Sequence, residues 1–181
     1  MLFARSPEEC HLYMELHPCE CGEAVFEWSR HRKEQRGDRM VSVYEGVCGR
    51  CGAPRQFVFE VTGEIPPPPA YGGEEPSRII DPSEFLAVGE DLAAAVPPDP
   101  ALLDPDVLDD AYEAIEMAVA ALDEVLKFVP AGADGLPLDA FLTDAGRQQY
   151  ARDPGQFGRE RLTELRTTYQ EVRSLYGAVA G

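Results

Sequence analysis

The stretch HPCECGEAVFEW, residues 17–28, sets two cysteines one residue apart, and VCGRCG, residues 47–52, sets two more two residues apart. Cys19, Cys21, Cys48 and Cys51 thus form two tight pairs separated by enough chain for a hairpin. Nothing else in the sequence restricts the fold as strongly. The chain has five cysteines, and an odd count in a reducing compartment points to metal ligation plus one spare thiol rather than a disulfide framework. Four thiolates held on two tight turns can surround one ion tetrahedrally at about 2.3 Å. Gly22 and Gly52 directly follow the pairs, where a residue without Cβ lets backbone amides turn toward the sulfurs. The first pair is the shorter, and two ligand sets fit there: both of its sulfurs, or one of them with His17 or Cys10 in place of the other.

The residues around the pairs give them a framework. Ser6 as N-cap, Pro7 in the first turn and Glu9 three residues after the cap make a capping box. A helix is predicted over 7–16, stopping at His17 because Pro18 disfavours helical backbone at the residue before it. Three strand-like runs follow, EAVFEWS (23–29), RMVSVYEGV (39–47) and RQFVFEV (55–61), each rich in β-branched or aromatic residues. The polar RHRKEQRGDR joins the first two, with Gly37-Asp38 at an exposed hairpin tip, and CGRCGAP turns between the second and third. A small three-stranded antiparallel sheet is expected.

Over about residues 17–62 this arrangement resembles a zinc ribbon with a rubredoxin-like knuckle: Cys48 and Cys51 match the usual CxxC with its following glycine, whereas Cys19 and Cys21 depart from it by one residue. The resemblance implies a closed, structural Zn2+ site. A sheet of some forty residues buries little surface, and zinc can contribute on the order of 10–16 kcal/mol to folding such a module, so the ion is expected to substitute for a core. Four thiolates also leave no open position for a catalytic water.

The run GEIPPPPAYGGEEPS interrupts both strand and helix, because consecutive prolines favour an extended segment without backbone donors. The expected organisation is a helix plus zinc-ribbon module over 1–64, a Pro/Gly-rich linker over 65–78, and an all-helical domain over 79–181. Past Ile80 the apolar period changes from two to about 3.6. Asp81 and Glu84 repeat the capping logic before FLAVGEDLAAAV. A long helix is predicted from near Pro105 to before Pro130, with Leu108, Ile115, Val119, Leu122 and Val125 on one face and acid on the other. One or two short helices follow, then a last one over 156–176 with Leu162, Leu165, Tyr169, Val172, Leu175 and Tyr176 inward. The fold class expected is α+β.

The formal net charge is −17. From Glu74 to Asp144 there are eighteen Asp and Glu against only Arg78 and Lys127, a field that repels nucleic acid and anionic lipid and speeds encounter with basic partners. Asp106, Asp109, Glu113, Glu116 and Asp123 fall on one helical face and are the candidate partner-binding residues. Paired carboxylates can also hold metals or move protons, but all three histidines lie before residue 32, so the inward Glu-x-x-His motif of carboxylate bundles is missing. Arg30, Arg32, Lys33, Arg36 and Arg39, with Trp28 and Tyr44 nearby, are the candidate nucleic-acid residues at the hairpin tip. Their module is not basic overall, with eight basic and eleven acidic side chains over 1–64.

Cys10 beside His11 does not read as a nucleophile with its base, since adjacent helical residues point about 100° apart. No phosphate loop, dinucleotide fingerprint, nucleophile elbow or HExxH occurs. No run approaches the roughly 18 apolar residues of a membrane span, and the opening MLFARSPEEC turns polar too soon for a signal peptide. A cytoplasmic, non-enzymatic protein that engages a basic macromolecular partner through its acidic helices is expected, of the immunity-type inhibitor or adaptor kind. The alternative is a nucleic-acid-associated regulator acting through the basic hairpin.

Overall fold

The computed structural model describes residues 1–61 and 66–180 and has an α+β fold in two units. The first unit comprises Met1–Pro66, Tyr71–Gly73 and Ser77–Ile79, and the second Pro67–Ala70, Glu74–Pro76 and Ile80–Gly181. The expected junction of module and linker, residues 64–65, lies outside the described residues.

In the first unit, β1 (Leu2–Ala4) leads into α1 (Pro7–Leu16), followed by β2 (Trp28–Arg36), β3 (Arg39–Val47) and β4 (Pro54–Val61). The sheet order is β1-β4-β3-β2, with β1 parallel to β4 and the other pairs antiparallel. Four strands in a mixed sheet therefore replace the three antiparallel strands expected. β1 is only three residues long, too short to show a period. Ala4, Cys10, Met14, Tyr44 and Phe59 form a core cluster of this unit, with Tyr13, Phe57 and Val61 packed against it, and Leu12, Val41 and Val43 are buried as well. Helix α1 starts as expected, the Ser6 hydroxyl accepting the Glu9 amide at 2.9 Å. The return half of the box goes elsewhere: the buried Glu9 carboxylate accepts the Arg5 amide at 2.6 Å and its guanidinium at 2.7 Å. Part of the proline- and glycine-rich segment belongs to this unit, since Ser6 donates to the Tyr71 carbonyl at 2.6 Å and Gly72 lies against the Arg5 guanidinium.

The first of the expected strands is displaced. Residues 23–27 are irregular, and the charged run through Arg36 is itself the edge strand β2, paired with β3 down to Arg36 opposite Arg39. The tip is only Gly37-Asp38, with Gly37 at φ 67°, as a two-residue turn with glycine first requires. Dense charge suits an edge strand because it discourages pairing with another chain.

The second unit holds α2 (Pro82–Ala95), α3 (Pro105–Lys127), α4 (Asp144–Arg152) and α5 (Arg159–Ala180). At the start of α2 the capping box is complete, with the Asp81 amide donating to Glu84 at 2.9 Å. The fully buried Asp81 carboxylate accepts the Ser83 amide at 2.9 Å and hydroxyl at 2.6 Å, and also the Thr143 amide at 2.8 Å and hydroxyl at 3.1 Å. Thr143 in turn caps α4. One carboxylate thus anchors two helix N-termini. α2 packs closely on α3 at Gly89, where an added Cβ would lie 2.6 Å from Leu122 Cδ2. Leu175, expected inward, is 51% exposed, while its neighbour Tyr176 is buried and donates to the Pro97 carbonyl. No helix among the described residues is long and apolar enough to cross a membrane.

Candidate metal centre

Two turns of unequal length carry the four cysteines. In the first, the Gly22 amide donates to the Cys19 carbonyl at 2.7 Å and the Cys19 amide to the Glu23 carbonyl at 2.8 Å. In the second, with one more residue between its cysteines, Gly52 donates to the Cys48 carbonyl and Cys48 to the Ala53 carbonyl, both at 2.8 Å. Gly22 and Gly52 hold φ of 86° and 71°, a left-handed backbone that residues with a Cβ rarely adopt. The two turns close in the same way, the first simply one residue tighter. A CxC can therefore present its sulfurs as a CxxC does.

The ligand atoms of Cys19, Cys21, Cys48 and Cys51 all lie within 4.8 Å of one another. Cys19 Sγ is 3.7 Å from Cys51 Sγ, and Cys21 Sγ 3.6 Å from Cys48 Sγ. A disulfide needs about 2.0 Å. The edge of a tetrahedron with metal–sulfur bonds of about 2.3 Å is about 3.8 Å, so the spacing fits a shared ion and all five cysteines are free thiols. Cys19 and Cys48 are buried, while Cys21 and Cys51 reach solvent. Neither alternative ligand joins the group: Cys10 is buried in the core, and the His17 ring stacks on Tyr13 with its Nδ1 2.8 Å from the Tyr13 carbonyl.

The electrostatics suit an anionic cluster. The Cys51 and Arg50 amides, helped by the thiols of Cys21 and Cys51, bring the Cys48 thiol down to about 6. At Cys21 the Glu23 amide acts in the same direction, but desolvation and the thiols of Cys48, Cys51 and Cys19 outweigh it, and its thiol is pushed up to about 12. Four thiols this close resist losing all their protons unless a cation shares their charge. Arg50 donates to the Cys21 carbonyl at 3.3 Å. Arg55 lines a cleft of about 680 Å3 together with Cys19, Cys21, Cys51 and His17. Its guanidinium lies over Phe26 and Phe57 and donates to the His17 carbonyl, and its buried Nη1 has no hydrogen-bond partner. A positive group left unsatisfied there fits a neighbouring negative charge. Only Arg50 could have been picked out beforehand, from its place inside CGRC.

The other candidates lie apart from the cysteines. On β2 and β3, Arg32 is paired with Glu34 and Glu45, Arg36 with Glu34 at 2.9 Å, and Arg39 with Glu60 at 3.1 Å. Arg30 and Lys33 are exposed and outside these pairs. These residues lie along β2 and at the start of β3, with only Arg36 and Arg39 flanking the two-residue tip. His31 stacks on Tyr44 with ring centroids 4.3 Å apart, and Trp28 meets both rings edge-on. On α3, Asp106, Asp109 and Glu113 are exposed and Glu116 half-buried, while Asp123 is paired with Arg166 of α5. Comparison with family models, curated proteins and solved structures finds no match to the chain.

Proposed function

We propose that this chain is a non-enzymatic binding protein in which a structural Zn2+, held by Cys19, Cys21, Cys48 and Cys51 as in a zinc ribbon, secures the sheet while the acidic helices engage a basic macromolecular partner. Bound zinc would supply folding free energy and no reactive position, because four sulfurs complete its tetrahedron. The observation that carries the partner reading is the first half of α3. Asp106, Asp109, Asp110 and Glu113 all face solvent there, and none makes an ion pair among the described residues. Residues 79–126 contain no Lys, Arg or His at all. Uncompensated like charge costs stability through self-repulsion and is useful where a partner of opposite sign neutralises it. Asp123, already paired, drops out of that surface. An immunity-type inhibitor or an adaptor would both use such a face.

The test is capture from native lysate, read by mass spectrometry, with Asp106→Lys/Asp109→Lys/Glu113→Lys as the comparison. The wild-type chain should retain basic proteins that the reversed variant does not. Identical sets from the two would refute the reading. A second reading, a nucleic-acid-associated regulator, is favoured by the exposed Trp28 and His31 rings beside Arg30 and Lys33, since bases stack on aromatic faces flanked by cations. It predicts that Arg30→Glu/Lys33→Glu abolishes a gel shift of single-stranded DNA or RNA.

A further inference from the structure

One end of the helical unit leaves large apolar side chains in solvent. Leu102 is 82% exposed, Leu175 51%, Val107 45% and Val179 44%. All four come from the segments that build the small cluster of Leu108, Ala111 and Tyr176, against which Leu103, Tyr112 and Val172 pack, and α5 meets both α3 and the short turn at Pro100–Leu102. Leu102 precedes Leu103 in a short 3-10 turn, and Val107 precedes Leu108 in the first turn of α3. Leu175 and Val179, one turn apart on α5, flank the buried Tyr176, whose hydroxyl ties α5 to Pro97. Around this end stand the exposed acids Asp99, Asp104, Asp106, Asp109 and Asp110, none of them in an ion pair among the described residues.

We infer that this apolar end is the docking surface for a basic amphipathic helix of the partner, so the inference rests on the partner reading above. The apolar ridge of such a helix would cover Leu102, Val107, Leu175 and Val179, and its flanking Lys or Arg would meet the acids. Charge decides among possible occupants. A second copy would bring its own aspartates against these, and an anionic membrane would be repelled. A polycation without an apolar face would satisfy the acids yet leave the leucines and valines wet.

Fluorescence anisotropy with the full chain tests this, using a Leu/Lys amphipathic helical peptide and a scrambled peptide of the same composition. The amphipathic peptide should bind about tenfold or more tightly than the scrambled one. Leu102→Ser/Leu175→Ser should remove that preference while leaving the salt-dependent binding of the scrambled peptide unchanged. Both sites are exposed, and circular dichroism checks that the variant keeps its helices. Equal binding of the two peptides, or a preference that survives the double substitution, overturns the inference and leaves the basic-partner reading standing. Absence of binding by either cationic peptide overturns both. A dimer in sedimentation velocity that the double substitution dissolves also overturns the inference, because a second copy would then cover the patch.

Discussion

If Cys19, Cys21, Cys48 and Cys51 hold the proposed Zn2+, removing it should dismantle the first unit and spare the second. Among the described residues, the sheet unit has one core cluster of five buried residues with a fringe of half-buried ones, and only a few more apolar side chains, among them Leu12, Val41 and Val43, are buried outside it, while a domain's whole stability is about 5–15 kcal/mol. Zinc in small modules contributes on the order of 10–16 kcal/mol, enough to equal or exceed that. The metal-free first unit should therefore be unfolded at room temperature. Two signals separate the units. Trp28 is the single tryptophan of the chain and sits on the sheet, its ring 5.4 Å from Tyr44, so its emission reports the first unit alone. Ellipticity at 222 nm reports mainly the second, because α1 has ten residues against the fourteen, twenty-three, nine and twenty-two of α2 to α5. Titration with a strong chelator should shift Trp28 emission to that of a solvated indole while about one eighth of the helical signal is lost. Elemental analysis should show one ion per chain before and none after. Emission unchanged in fully stripped protein, or wholesale loss of the helical signal, would refute the reasoning.

Three further outcomes follow from particular contacts. Burial, with the charges of Cys10 and Glu8 behind it, pushes the Tyr44 hydroxyl up to about 12; burial also raises Tyr169 and Tyr176, seconded by Glu90 and Asp99 respectively. A raised folded-state value stabilises below the unfolded value near 10 and is lost as pH rises through the folded one, so absorbance at 295 nm should show these three of the seven tyrosines ionising late and together with unfolding. A single step near pH 10 in folded protein would contradict their burial. Gly146→Ala should destabilise the helical unit by about 2–3 kcal/mol, since the new Cβ would lie 2.4 Å from Asp81 Oδ1; a melting temperature unchanged or raised, the usual result of Gly→Ala in a helix, would show the contact to be wrong. Cys10 is fully buried, and burial followed by Glu9 and Glu8 pushes its thiol up to about 12. Mass spectrometry after iodoacetamide treatment at pH 8 should find it unlabelled until the chelator is added, and early labelling with Trp28 emission unchanged would count against that placement.

Where the sequence carries local chemistry, the structure follows it. Ser6-Pro7, Asp81-Pro82 and Pro105 mark the starts of α1, α2 and α3, because a cap and a first-turn proline act within a few residues. The four thiols come together because two tight turns on one hairpin leave them few alternatives. What was illegible depends on partners distant in the chain. β1 exists only through its pairing with β4, and Phe26, which made 23–29 look like a strand, instead packs on Phe57 with centroids 5.2 Å apart. The acid count of the module was legible, but not which acids meet the basic run: Glu45 and Glu60 face Arg32 and Arg39 only once the register of β2, β3 and β4 is set. No period in the sequence announces that Asp81 will hold Thr143, 62 positions away.

That shared carboxylate makes the fraying of two helices a single event. α4 is nine residues long with little apolar surface to bury, and alone it would open readily. Its first turn cannot detach, however, without stranding a charge that is sealed from water beneath α2, and α2 cannot loosen there without uncapping α4. Amide protons at the beginnings of both segments should therefore exchange with solvent at a common, slow rate, as one cooperative block assembled from pieces far apart in the chain.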